Sequence, residues 1–245
     1  IDDAIDRSKT LALVVNFTCH AVTFAPDYPP PKDFLYFSAD YPGVIDKTVR
    51  RLMGEDTVTI FLNGAEGDIN PRLLGSFDDS KWMGSIIGAE AVKTAWQIEE
   101  HMTRNVRVGA KSKTINLPLR TYSLEEVEKT LKKLRLRRKL VEERTVDSNS
   151  REDALLYIDY QIKLGEEMTT KIIDEKVESD RAVEVQVLSL TGCVPHGVVL
   201  YEQAMVGLPG EFYVEHGLNI KKRSSFRYTS IIGLANDFVW YVPTK

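Results

Sequence analysis

The chain has 245 residues, 43% of them hydrophobic and 28% charged, with a formal net charge of −4. That length and apolar content support a large core, while the acidic balance gives no electrostatic footprint for nucleic acid or an anionic membrane. No apolar run approaches the roughly 20 residues of a transmembrane helix, and two distant cysteines, Cys19 and Cys193, form neither a CxxC metal pair nor a disulfide framework, so two buried free thiols are expected.

Residues 1–9 read as a polar, acidic arm. Leu11 to Val15 is an unbroken, β-branched apolar run, expected to be a central strand buried on both faces of a helix-covered sheet. It ends in Asn16-Phe17-Thr18-Cys19-His20, which puts His20 where open α/β sheets bind their ligands. The plainer alternative is a histidine satisfied by a backbone carbonyl. Asn16-Phe17-Thr18 matches a glycosylation sequon but continues the strand, and is discounted. Residues 24–32 carry four prolines and must be an irregular loop.

A helix is expected over residues 44–53, with Val44, Ile45, Val49 and Leu52 on its apolar face and Ser38 or Asp40 as its cap. Residues 57–62 form a second short strand, running into Asn63-Gly64-Ala65-Glu66-Gly67-Asp68-Ile69-Asn70. In that loop Asp68 and Asn70 can coordinate, accept or orient, unless the loop merely caps the next helix, expected over 81–101 with Met83, Ile86, Ile87, Ala91 and Trp96 facing the sheet. Residues 106–117 alternate like a half-exposed strand. From 123 to about 180 the pattern is an inserted αα-hairpin, opened by a Ser123/Glu126 capping box and broken at 145–150; its basic run, 132–139, is flanked by glutamates and reads as a solvated face. Strands follow at 182–190 and 198–207, a helix at 212–222 opened by Leu208-Pro209-Gly210-Glu211-Phe212, then strands at 229–234 and 238–242. The expected architecture is a single α/β domain over 1–245, a mixed β-sheet covered by helices. With no methionine at Ile1 and an apolar strand running almost to Lys245, the chain reads as a fragment or a processed product, cytoplasmic or secreted.

Five ordered pieces, NFTCHAV, SADYPG, NGAEGDINP, LPGEF and GLANDFVWYVPT, resemble the neutral, non-lysosomal ceramidases and the microbial proteins grouped with them. The match runs from about residue 9 to the end, apart from the helical hairpin. The resemblance implies a catalytic Zn2+ held by two histidines, a glutamate and a tyrosine. His20 takes the place of the second histidine, Glu211 of the glutamate and Tyr241 of the tyrosine; the first histidine belongs to a motif upstream of the matched stretch. The family's catalytic serine falls on Asn70, whose amide cannot act as a nucleophile but can donate to a developing oxyanion. Without the resemblance, Glu211 reads as a carboxylate favoured at a helix N-terminus, and Tyr241 as a half-buried strand residue.

The expected function is therefore zinc-dependent hydrolysis of a linear amide, an N-acyl lipid or related small molecule, by a metal-activated water. Asp40, Asp68 and Asn70 would orient substrate or stabilise charge. The alternatives are an esterase or other C–N hydrolase on the same scaffold, and a relative that lost the serine and binds a ligand or partner without catalysis. No nucleic-acid partner and no integral membrane segment are expected.

Overall fold

A computed structural model of the chain describes residues 1–2, 9–23, 37–73, 75–99, 102–103, 105–143, 148–193 and 199–244, the side chains of 148–150, 153, 193 and 199–200 excepted. The proline-rich loop at 24–32, part of the N-terminal arm, the first half of the break expected at 145–150 and the Cys193 side chain lie outside the described residues; the second half of that break is already helical. The elements run β1 (Ala12–Phe17), α1 (Asp40–Met53), β2 (Val58–Asn63), α2 (Phe77–Ile98), β3 (Val106–Pro118), α3 (Leu124–Glu142), α4 (Ser148–Ile173), β4 (Asp180–Cys193), β5 (Val199–Gly207), β6 (Glu211–Phe212), α5 (Val214–Arg223), β7 (Tyr228–Ile232) and β8 (Tyr241–Val242). This is the expected α/β class with a mixed sheet: β5 pairs antiparallel with β4 and parallel with β7 in a sheet of order β3-β4-β5-β7.

Two compact units emerge, the larger built on Leu35–Ile115 and Val183–Lys245 with the N-terminal stretch, the smaller centred on Asn116–Ala182. In the larger, β1 and β2 pair in parallel, Ala12 opposite Val58 through Phe17 opposite Asn63. Leu13, Val15 and Phe17 turn to a core of Tyr41, Ile45, Val49 and Val92 from α1 and α2. The other face of β1 is less covered, with Val14 43% exposed. The strand is therefore not buried on both faces: α1 and α2 pack on one side of it, and the period-2 alternation of a strand sends Val14 to the other.

Helix α1 begins earlier than expected, because Pro42 is tolerated in a first turn, where its missing N–H would have no helical partner. Its N-cap position is Ala39, with no side-chain cap bond. Asp40 instead adopts a left-handed φ of 52°, sends its N–H to Ser38 Oγ at 2.9 Å and accepts at Oδ1 from the Tyr41 N–H at 2.7 Å. Helix α2 also starts early. Its cap is Ser76, in a reciprocal box with Asp79, so the 63–72 loop does not cap it.

The buried stripe of α2 is Ser80, Gly84, Gly88 and Val92, spaced four apart. Its small residues let α2 approach α1 at backbone distance: a Cβ at Gly88 would lie 2.8 Å from Thr48 Cβ and 3.3 Å from the Ile45 carbonyl oxygen. Met83, Ile87 and Ala91 flank this contact against the core, whereas Ile86 and Trp96, expected to face the sheet, are 51% and 55% exposed. The helix meets its partner through small side chains, which turns part of its bulky apolar set outward.

In the smaller unit, α3 opens with the expected capping box between Ser123 and Glu126. It packs on α4 through Val127, Leu131 and Ile158. Part of the basic run makes ion pairs, Arg135 with Glu166 at 2.9 Å and Arg138 with both Asp159 and Glu142. Among the described residues no helix is long and apolar enough to cross a membrane.

Candidate functional site

Strand β1 delivers His20 three residues past its end, and backbone and side-chain contacts then fix the imidazole. The Cys19 N–H donates to Asn63 Oδ1 at 3.2 Å, and the Cys19 carbonyl accepts from the Tyr41 hydroxyl at 2.7 Å. The Ile69 carbonyl accepts from both the His20 N–H, at 2.9 Å, and the ring nitrogen Nδ1, at 3.1 Å. A carbonyl only accepts, so Nδ1 must carry the proton, and in the neutral ring Nε2 is left with its lone pair free to accept. Facing Nε2 at 3.2 Å is the hydroxyl of Tyr241, and the two rings stack at 6.0 Å with an interplanar angle of 19°. The backbone-satisfied histidine and the site histidine are thus the same residue, one nitrogen in each role.

Glu211 meets the same phenol. The residues before it, Leu208-Pro209-Gly210, do not open a helix as expected; Glu211 and Phe212 form β6, paired in parallel with Tyr241 and Val242 of β8, and α5 starts only at Val214. Glu211 is therefore a strand residue directly opposite Tyr241, and its carboxylate is not a helix-terminal charge. The expected last strand at 238–242 shrinks to β8 for a related reason. Leu234, Asn236 and Trp240 take left-handed φ angles of 56°, 72° and 62°, so the chain wraps the 208–213 segment, with Val239 N–H on the Pro209 carbonyl and Glu211 N–H on that of Trp240. Such non-glycine strain persists where surrounding contacts over-determine it, and it gathers at functional sites.

The hydrogen bond to Glu211 raises the Tyr241 phenol above its ordinary range, helped by burial and by the charges of Glu211, Glu66 and Tyr213. One phenolic proton thus stands before two acceptors, His20 Nε2 and the Glu211 carboxylate. The other Glu211 oxygen, Oε2, is buried with no hydrogen-bond partner among the described residues. So are both oxygens of Glu66, which is 1% exposed. Burial raises the Glu66 carboxyl above the ordinary carboxylate range, as does the charge of Glu211; its own amide and His20 pull the other way, though neither hydrogen-bonds its oxygens. The loop carrying Glu66 docks on β6 through Gly67, whose N–H donates to the Phe212 carbonyl at 2.9 Å and whose missing Cβ leaves room for the Glu211 carbonyl oxygen.

The three metal candidates, His20, Glu211 and Tyr241, therefore come together. The other candidates are placed apart from this trio. Asp68 Oδ1 accepts from the Val214 N–H at 2.7 Å, at the start of α5. Asp40, 8% exposed, also accepts from the Thr23 hydroxyl at 2.7 Å. Asn70 lines, with Phe17, Cys19, Ile69, Trp82 and Ile87, a largely apolar cavity of about 420 Å³ beside the backbone that holds His20. Glu66 was not singled out in the sequence, although a signal was there: an acidic residue flanked by Gly64-Ala65 and Gly67 at the end of an apolar strand sits where close backbone approach can bury it.

One imidazole, one carboxylate and one phenol, short of donors and opposite orphaned buried oxygens, are a donor set that suits a zinc ion. Among the described residues no group of three or more His, Cys, Asp or Glu side chains is arranged to hold a metal; the third donor here is a tyrosine.

No family model matches the chain, and no curated protein matches it. Among solved structures, it is similar to the neutral ceramidase from Pseudomonas aeruginosa, with a TM-score of 0.50 at 14% identity over 95% of this chain and 38% of that one. It is also similar to a ceramidase complexed with C2, with a TM-score of 0.56 at 14% identity over 96% of this chain and 40% of that one. At that identity the likeness is one of fold: the chain shares the fold of these ceramidases and spans about two fifths of their length.

Proposed function

We propose that this chain supplies the metal-holding core of a zinc-dependent hydrolase of linear amides, of the N-acyl lipid kind, with His20, Glu211 and Tyr241 as ligands. The observation that carries it is the donor deficit: a single phenolic proton before His20 Nε2 and Glu211, beside three buried carboxylate oxygens with no partner among the described residues. Buried polar atoms are normally paired, and a cation resolves the deficit at once. Zinc bound there would polarise an amide carbonyl and lower the pKa of a water to about 7.

The rest falls to the chain's own side chains. The Ile69 carbonyl holds the His20 proton on Nδ1 and so keeps Nε2 available. The Asn70 amide donates a hydrogen bond to charge developing on the substrate oxygen, a role worth about 3 kcal/mol where it has been removed elsewhere. Asp68 pins the loop that carries Asn70 to α5, and Asp40 anchors the start of α1; both act by position. The apolar cavity beside Asn70 takes the acyl chain.

The test is elemental analysis of the full-length protein with hydrolysis of matched N-acyl amide and acyl ester panels. About one zinc per chain, lost in His20→Ala, with faster turnover of amides, is the expected result. Preference for esters would move the substrate class, and stoichiometric zinc in His20→Ala would remove the ligand assignment.

A further inference from the structure

We propose that Glu66 is the outer carboxylate of this site, an anionic partner that faces the cation from behind its ligands and sets how tightly it is held. The proposal rests on the ligand assignment just made and adds a residue to it. Glu66 is 1% exposed, and among the described residues neither of its oxygens has a hydrogen-bond partner. Among the described residues it is in no ion pair, and neither is Glu211. A carboxylate so placed is costly unless something positive answers it.

Its surroundings point to where that charge would come from. Glu66 belongs to the loop whose Ile69 carbonyl holds both the His20 N–H and Nδ1 and whose Gly67 lies against the Glu211 carbonyl, so it is carried on the same backbone that positions the two ligands. The neighbouring backbone holds it there. Ile69 N–H donates to the Glu66 carbonyl at 2.7 Å, and Gly67 ties the loop to Phe212. Gly233 lies against the carboxylate, where a Cβ would fall 2.6 Å from Oε2. The Gly233 N–H is itself bound to the Asn63 carbonyl at 3.0 Å. Two loops, after β2 and after β7, thus close around one acidic side chain without giving it a donor. The role proposed for it is not that of a direct ligand but action across the site, through charge and orientation. Outer partners of this kind change metal affinity by about 10- to 100-fold.

The experiment is zinc affinity by competition with a chromophoric chelator, on full-length wild type, Glu66→Gln, Glu66→Asp and His20→Ala, with thermal melts of each in metal-free and zinc-loaded form. Glu66→Gln is expected to keep one zinc per chain with a Kd about 10- to 100-fold weaker, and Glu66→Asp to fall between. Metal-free Glu66→Gln should melt above metal-free wild type, because an unanswered buried acid is gone, and should gain less from zinc. A purely structural role would not give these opposite signs. Wild-type Kd in Glu66→Gln, with zinc lost in His20→Ala, overturns the role of Glu66 and leaves the ligands standing. Absence of zinc from wild type, or its retention in His20→Ala, overturns the ligand assignment and Glu66 with it. If the glutamine variant does not fold, the aspartate variant decides: an intermediate Kd supports the proposal and a wild-type Kd overturns it.

Discussion

The Tyr41 hydroxyl is the link between the core and His20, and its removal can be worked through. Tyr41 has no exposed surface, and its hydroxyl donates to the Cys19 carbonyl at 2.7 Å, one residue before the histidine. Its ring meets Phe17 edge-on at 6.1 Å and Phe61 at 5.6 Å. Tyr41→Phe keeps those ring contacts and leaves a buried carbonyl without its donor, which costs about 1–3 kcal/mol, offset in part by the hydroxyl no longer being buried. A net loss of about 1.5 kcal/mol is expected. With a urea m-value of about 2–3 kcal/mol/M, that lowers the midpoint by roughly 0.5–0.7 M. Tyr41→Ala removes the ring as well and should cost about 3–5 kcal/mol. Burial first, then the charges of Cys19, Asp40 and Glu66, push the Tyr41 phenol far above its ordinary range, so the Phe effect should be the same at pH 6 and pH 9. Urea titration followed by circular dichroism measures all three. A Phe variant within about 0.3 kcal/mol of wild type would show that the hydroxyl does not hold the Cys19 carbonyl, and with it the proposed positioning of His20 would fall.

Four further outcomes are expected. Gly88→Ala gains about 1 kcal/mol of helix propensity but forces a methyl against Thr48 and the Ile45 carbonyl, an overpacking cost of about 1–3 kcal/mol; net destabilisation in urea titration is the expected sign, and net stabilisation would deny the close helix contact. Ser76→Ala should cost about 1 kcal/mol by removing the α2 capping box, whereas Ser38→Ala, which removes a single bond to the Asp40 N–H at the start of α1, should cost less. The Cys19 thiol is 4% exposed and pushed up to about 11, by burial first and then by Asp40. At pH 8 its thiolate fraction should be roughly 100-fold below that of an ordinary cysteine, so iodoacetamide mapped by mass spectrometry should label it only after unfolding. Glu126 is lowered below its ordinary value by the Ser123 N–H and hydroxyl. A carboxyl lowered in the folded state stabilises above its unfolded pKa and loses that contribution as pH falls through the folded one. The helicity difference between wild type and Glu126→Gln should therefore narrow from pH 6 to pH 3; an unchanged gap would contradict the capping bond.

What could be read from the sequence was what local pattern decides. The apolar runs of β1 and β2 and the Ser123/Glu126 box of α3 all depend on residues a few positions apart. What could not be read depends on partners far along the chain. Glu211 follows Pro209-Gly210 as a helix start often does, yet it becomes a strand because Tyr241, 30 residues on, offers a backbone to pair with. Ile86 and Trp96 carry the right period for a core face, but α1 accepts only the glycine stripe. The Ser76 box was concealed because Asp79 replaces the usual Glu or Gln at its third position. Glu66 reads as an ordinary loop acid, yet Gly233, far along the chain, packs against its carboxylate.

The contact between His20 and Tyr241 joins residues 221 positions apart. In an otherwise unstructured chain, closing a loop of that span costs about 2 kcal/mol more in entropy than closing one of 20 residues. Pairings of such long range form late. A spectroscopic label on this pair would therefore mark completion of folding, and any bond drawn between the two rings would act as a clasp on segments 221 positions apart.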